Sequence, residues 1–250
     1  NVATKRVMFG IANADQVLVG RNEQADVVAL LAPLQMSPRC IMVHKKSGIR
    51  RLEDLKDMTL AAGSGKAYLE YLKTQVTLEN VKLVPYAGSS ALFLKDENFA
   101  QQGYVFSEPF VARREGADPH VLMVSEIGFN PYTSLLVTHG ETITGQEELV
   151  AKVVRASRRG WQDYLANPKT VNAYIHKVNP EMDMESLQFG VAAIQPLCLP
   201  ENMSPTELGA MSLERWQALS NQLKEIDWLD AELDPATAFE SRFIEAVPGS

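Results

Sequence analysis

At 250 residues, 46% apolar and 22% charged, the chain is long enough to bury one large core or two smaller ones, and its composition excludes a disordered polymer. Lys and Arg number 24 against 31 Asp and Glu, so the net charge of -7 leaves no basic footprint for nucleic acid or an anionic membrane surface. No apolar run approaches the ~20 residues that span a bilayer, and no basic-then-apolar leader opens the chain. The opening Asn1-Val2-Ala3 reads as a start inside a domain, and is compatible with an export signal removed upstream.

In chain order, strand-like runs fall at residues 6–11, 26–31, 40–44, 58–62, 81–85 and 121–124. Several are continuous apolar stretches, as expected of strands covered on both faces. Helical patterns lie between them at 14–21 and 66–73, and the alternation predicts an α/β protein with a largely parallel sheet. After Leu135-Leu136-Val137 the chain becomes mostly helical, punctuated by Pro168, Pro180, Pro196, Pro200 and Pro205. Leu149, Val150, Val153, Val154, Ser157, Trp161, Tyr164 and Leu165 recur at helical spacing and predict one packed face, with Trp161 and Tyr164 in the core. Ser212 is placed to cap a second amphipathic helix whose stripe is Leu213, Trp216, Leu219, Leu223 and Ile226. The Pro- and Gly-ended tail after Asp234 is expected to dock loosely.

The basic clusters Lys45-Lys46 with Arg50-Arg51, and Arg155 with Arg158 and Arg159, are flanked by acids and read as solvated faces. Cys40 and Cys198 fit two buried thiols, and a disulfide between them stays open. The histidines His44, His120, His139 and His176 show no metal-ligand spacing with each other or with the cysteines.

Three places concentrate binding chemistry. In Gly10-Ile11-Ala12-Asn13-Ala14-Asp15-Gln16 a strand runs through small residues into a helix; Asn13 and Asp15 either cap that helix or meet a ligand at the end of a strand. Ala62-Gly63-Ser64-Gly65-Lys66-Ala67-Tyr68 has the same layout: a tight turn capped by Ser64, or a helix N-terminus that receives an anion or a polarised carbonyl. It lacks the spacing of a P-loop or a dinucleotide fingerprint. In the third, Gln101-Gln102-Gly103-Tyr104-Val105-Phe106-Ser107-Glu108-Pro109-Phe110, Pro109 is expected to hold the Glu108 backbone away from helical geometry. Glu108 is then a hydrogen-bond acceptor for a ligand amino or ring N–H group, or a helix-terminal or surface acid. Tyr104, Phe106, Phe129 and Tyr132 supply stacking faces, some of them packing residues instead. There is no Gly-x-Ser-x-Gly elbow, no His-Glu-x-x-His and no supported Cys/His pair, and Glu147-Glu148 serves the dipole of a helix start. These residues point to a binding protein with no catalytic residues, metal or cofactor.

The run Phe9-Gly10-Ile11-Ala12-Asn13-Ala14-Asp15-Gln16, the Ser47-Gly48-Ile49 and Leu52-Glu53-Asp54-Leu55-Lys56 element, Gln102-Gly103-Tyr104 with Ser107-Glu108-Pro109, Pro131-Tyr132-Thr133, and Gly209-Ala210-Met211-Ser212 with Trp216 resemble the NMT1/THI5-like substrate-binding proteins of ABC importers, over nearly the whole chain. The resemblance implies a type II periplasmic-binding-protein fold. Two α/β lobes, residues 1–57 with 132–250 and residues 58–131, would be joined by a two-stranded hinge near 41–44 and 134–138. It implies a flat heteroaromatic ligand, a thiamine pyrimidine precursor or riboflavin, held among Asn13, Asp15, Ser64, Gly65, Glu108 and Tyr132, with Gln16, Tyr68 and Tyr104 as further candidates on the same segments. It also implies an ABC permease as partner, a monomer, and a place in the periplasm or on a lipid anchor outside the cytoplasmic membrane. The alternatives are a pyrimidine-synthase-like enzyme, whose cysteine-rich motif has no counterpart here, a ligand-sensing domain on the same fold, and a sulfonate- or nitrate-type binding protein. Relatives of this kind begin with a strand, a helix and a second strand before the segment matching 6–11. The chain is therefore expected to lack the N-terminal βαβ part of lobe one and to leave a sheet edge exposed there.

Overall fold

The computed structural model describes residues 1–230 and 232–245. They divide into two units, one made of residues 1–37, 131–168 and the chain from 195 onward, the other of residues 38–130 and 169–194. In chain order the first unit begins with β1 (Phe9–Ala12), α1 (Ala14–Asn22) and β2 (Val27–Leu31). The second contains β3 (Arg39–His44), β4 (Thr59–Ala62), α2 (Ala67–Gln75), β5 (Lys82–Pro85), α3 (Ala91–Lys95), β6 (Phe99–Tyr104), α4 (Glu108–Arg114) and β7 (Pro119–Met123). There follow β8 (Leu135–His139), α5 (Gly140–Gly145), α6 (Glu147–Ala166), α7 (Pro168–Val178), α8 (Met184–Cys198), α9 (Leu213–Glu225) and α10 (Arg242–Glu245).

In the first unit β8 is the middle strand of a three-stranded antiparallel sheet of order β1-β8-β2. All five β8 residues are buried, which the apolar Leu135-Leu136-Val137 permits and which Thr138 tolerates because its hydroxyl donates to Met8 O at 2.7 Å. Val28, Leu30, Leu31 and Leu136 from the sheet pack with Val150 and Val154 of α6. Trp161 and Tyr164, expected inside, are half-buried and meet edge to face, 6.3 Å between ring centres. On α9, Ser212 Oγ accepts the Arg215 N–H as the expected cap, and Trp216, Leu219 and Leu223 are buried while Leu213 stays exposed.

Two expectations are corrected here. The tail after Asp234 does not dock loosely: Phe239 stacks on Trp216 with ring centres 5.7 Å apart, and Phe243 and Ile244 join the sheet core. Residues 246–250 of that tail lie outside the described residues. Arg158 is not on a solvated face. It is buried, donating to the carbonyls of Leu208 (3.1 Å), Ile244 (3.3 Å) and Thr206. A guanidinium, which only donates, here closes three backbone acceptors at once.

The second unit carries a five-stranded sheet of order β5-β4-β6-β3-β7. It is mixed rather than largely parallel. β4 runs parallel to β5 and β6, whose connections pass through α2 and α3, whereas β3 is antiparallel to β6 and β7. β3 is not adjacent to β4, and only 3₁₀ turns at Lys45–Ser47 and Leu52–Asp54 lie between them in the chain. Met42, Ala61, Phe93, Phe99 and Ala112 fill the core on one face. The His44 ring stacks on Phe93 at 4.0 Å. The sequence-based boundary put residues up to 57 with the first lobe; by contact, residues 38–57 go with the second unit, because β3 is hydrogen-bonded between β6 and β7. Cys40 and Cys198 are both free and buried.

Candidate ligand-binding site

In the second unit the constellation starts from strand register. Arg39 of β3 is paired with Tyr104 of the antiparallel β6, so their side chains share one face, and Gln102, two residues back along β6, shares it too. The Arg39 guanidinium lies 4.2 Å from the Tyr104 ring centre and 4.9 Å from that of Tyr68 on the first turn of α2, a planar cation beside two phenol faces. Gln102 Oε1 accepts the Gly63 N–H at 2.7 Å and the Tyr68 hydroxyl. Burial pushes the Tyr68 phenol up to about 12, so at neutral pH it remains a donor.

Glu108 is the first residue of α4, with Pro109 in the first turn and Ser107 as N-cap. The expectation that proline would keep it out of helical geometry is corrected: proline is favoured in a first helical turn, where its missing N–H costs nothing. The carboxylate is engaged within the unit, Oε2 accepting the Tyr104 N–H at 2.8 Å and Oε1 the Tyr86 hydroxyl at 3.2 Å. Gly103 makes this possible, because a Cβ there would lie 3.1 Å from Glu108 Cβ and 3.3 Å from Oε2. Phe106 tilts against Tyr104 at 5.4 Å, while Phe129 is buried against Tyr71 at 5.3 Å as a packing residue. Ser64 and Gly65 are exposed on the turn after β4; Gly65 has φ +62°, and Lys66, not Ser64, is the N-cap of α2.

In the first unit, Asn13 is the N-cap of α1. Its N–H is accepted by Gln16 Oε1 at 2.9 Å, and its Oδ1 accepts the Ser134 N–H at 3.1 Å. Ala14 N–H donates to Tyr132 O at 3.0 Å, so Asn13, Gln16 and Tyr132 form one local structure, with Asp15 half-buried in the first turn of α1. Tyr132 itself is only 4% exposed. Its ring is covered by the Arg215 guanidinium at 3.8 Å, and its hydroxyl accepts the Ser212 N–H at 3.1 Å. Burial lowers the Arg215 pKa, and the Tyr132 oxygen opposes the shift. Tyr132, Gln35, Met203, Met211, Ser212 and Arg215 contribute to the wall of a pocket of about 290 Å³.

The structure thus gathers Tyr68, Tyr104 and Glu108 in one cluster and Asn13, Gln16 and Tyr132 in another. Arg39 and Tyr86 of the first cluster and Arg215 of the second were missed by sequence reasoning, which quoted Gln102 within its segment without giving it a role. The signal for Gln102 was its place in a polar, glycine-containing strand; for Arg39 and Arg215 no local pattern distinguishes them from surface cations.

A family model described as NMT1/THI5 like matches residues 1–171 of this chain. The chain belongs to this family. A relative, the riboflavin-binding protein RibY of Chloroflexus aurantiacus, is 24% identical over 260 aligned residues, covering 98% of this chain and 72% of that protein. The aliphatic sulphonate-binding protein SsuA from Escherichia coli superposes with a TM-score of 0.72 at 13% identity, covering 96% of this chain and 77% of that one. The desulfurization enzyme DSZB does so with 0.65 at 13% identity, covering 95% and 84%. At such identities these likenesses establish the fold: the family member described here has the α/β architecture of the periplasmic binding proteins.

Proposed function

We propose that the chain is the solute-binding component of an ABC importer, acting outside the cytoplasmic membrane as a monomer that delivers a flat heteroaromatic nutrient to a membrane permease. The nutrient is riboflavin or a thiamine pyrimidine precursor. The observation that carries this reading is the Arg39–Tyr68–Tyr104 arrangement, in which a planar cation and two phenol rings stand beside a held amide on one sheet face. A flat, polar ring is the solute that such faces and donors fit. The similarity to a riboflavin-binding protein supports it. Among the described residues no helix is long and apolar enough to cross a membrane.

A reading as a thiol-nucleophile enzyme is disfavoured by the two cysteines. Burial pushes both Cys40 and Cys198 up to about 12, so neither is a thiolate nucleophile at neutral pH.

The test is a melting-temperature titration with riboflavin, 4-amino-5-hydroxymethyl-2-methylpyrimidine and an alkanesulfonate, joined to native mass spectrometry of the freshly purified protein. A rise with riboflavin or the pyrimidine supports the proposal. A rise with the sulfonate alone, or with none of the three, refutes it.

A further inference from the structure

The Gln102 amide is held at one end only. A backbone N–H can only donate, so the Gln102 atom 2.7 Å from Gly63 N is the amide oxygen, and the Tyr68 hydroxyl donates to the same atom. The other end is therefore the NH₂ group. Among the described residues Nε2 makes no hydrogen bond, and it is not a buried atom. The nearby Glu108 carboxylate already accepts from Tyr104 and Tyr86 on its two oxygens. This sheet face thus presents N–H donors and aromatic faces, and its Glu108 carboxylate is held by two donors of its own unit.

We infer that Gln102 contacts the solute directly, its Nε2 donating to an acceptor on the edge of a flat ring, a ring carbonyl or ring nitrogen. Gly63 and Tyr68 are positioning groups: they hold the amide so that its donor end faces outward. Glu108 is also a positioning residue, fixing Tyr104 and Tyr86. The class of solute is narrowed to heteroaromatics that bring an acceptor edge to this face; a ring presenting only amino or N–H groups there would leave the Nε2 donor unmatched. This inference rests on the solute-binding reading above and assigns the side chain that selects within it.

The decisive variant is Gln102→Glu. It keeps an oxygen for the Gly63 N–H and the Tyr68 hydroxyl, and replaces only the NH₂ donor with a second, charged acceptor. Affinity for riboflavin and for lumiflavin, the same ring system without the ribityl chain, is read by fluorescence quenching, and for 4-amino-5-hydroxymethyl-2-methylpyrimidine by calorimetry. The expected result is an unchanged melting temperature without ligand and a roughly 10- to 100-fold weaker affinity, because a ligand acceptor then faces another acceptor. Tyr68→Phe, which frees the amide to turn, costs less, about three- to tenfold. A purely structural role for Gln102 predicts near-normal binding by Gln102→Glu, and binding within twofold of the wild type overturns the inference while the solute-binding reading stands. A wild type that binds none of the probes refutes that reading and this inference with it. If Gln102→Glu folds poorly, the side-chain amide resonances of Gln102 in nitrogen-15-labelled wild type replace it. They should shift and gain exchange protection on binding, and unchanged resonances overturn the assignment.

Discussion

Arg158 carries a full charge at 8% exposure, and its three carbonyl partners come from chain segments separated from it by 48 to 86 residues. Removing a group of this kind leaves acceptors buried without donors, and that costs more than the bonds themselves contributed. Arg158→Ala is therefore expected to lower stability by about 3 kcal/mol, read from urea unfolding. Arg158→Lys should recover only part of that, since an ammonium does not reproduce the planar fork. Gly103 offers a subtler case. It has no left-handed backbone angle, so its requirement is space: Gly103→Ala pushes against Glu108 and loosens the Tyr104 N–H bond. The expected loss is about 1 kcal/mol in urea unfolding, with weaker solute binding in the same titration. No sequence pattern marks either residue. Arg158 reads as one of three clustered surface cations, and the need for glycine at 103 depends on a side chain five residues on.

At the scale of elements, α9 and the segment after it act as one packing unit. Trp216 is fully buried and lies nearly parallel to Phe239, with 4° between the rings. Trp216→Ala is expected to cost about 4 kcal/mol and Phe239→Ala about 2, by thermal and urea unfolding. Their double variant should lose less than the sum, because each ring removes the other's partner. The α9 stripe was legible in the sequence because Trp216, Leu219 and Leu223 repeat at helical spacing, and β2 because it is an unbroken apolar run. β6 was not among the strands read from the sequence. Its Gln101, Gln102 and Gly103 look like loop chemistry, yet Gln101 is fully buried and the Gln102 oxygen accepts the Gly63 N–H. The direction of β3 was equally illegible, because strand propensity says nothing about which neighbour a strand will meet. The candidate residues fared alike: Asn13, Tyr104 and Glu108 were found as polar or aromatic residues at turns and helix starts, whereas their partners depend on register across strands distant in sequence.

For the molecule as a whole, the buried acids of the core are weak ones, and this sets its response to alkali. Burial raises Cys40 and Cys198 from about 9 to about 12, and Tyr68 and Tyr86 from about 10 to about 12. The unfolded chain releases these protons before the native one does, so their contribution is complete below pH 9 and is lost as pH rises toward about 12. The melting temperature should fall steeply across that window. Cys40→Ala and Tyr86→Phe should flatten the fall, and an unchanged slope in both would contradict the burial assignment. The exposed pairs such as Lys5–Glu141 and Lys152–Glu148 should matter little by comparison, and added salt should leave the curve nearly unmoved below pH 9.

The position of β8 in the middle of its sheet also dictates a schedule for synthesis. Among the described residues β1 and β2 are not bonded to each other, and each is bonded to β8, a strand that follows the whole of β3 to β7 in the chain. During that interval two apolar strands have no ladder, while the five-stranded sheet already possesses every strand it needs. Pulse-labelled hydrogen exchange during refolding should accordingly protect β3, β4 and β6 before β1 and β2.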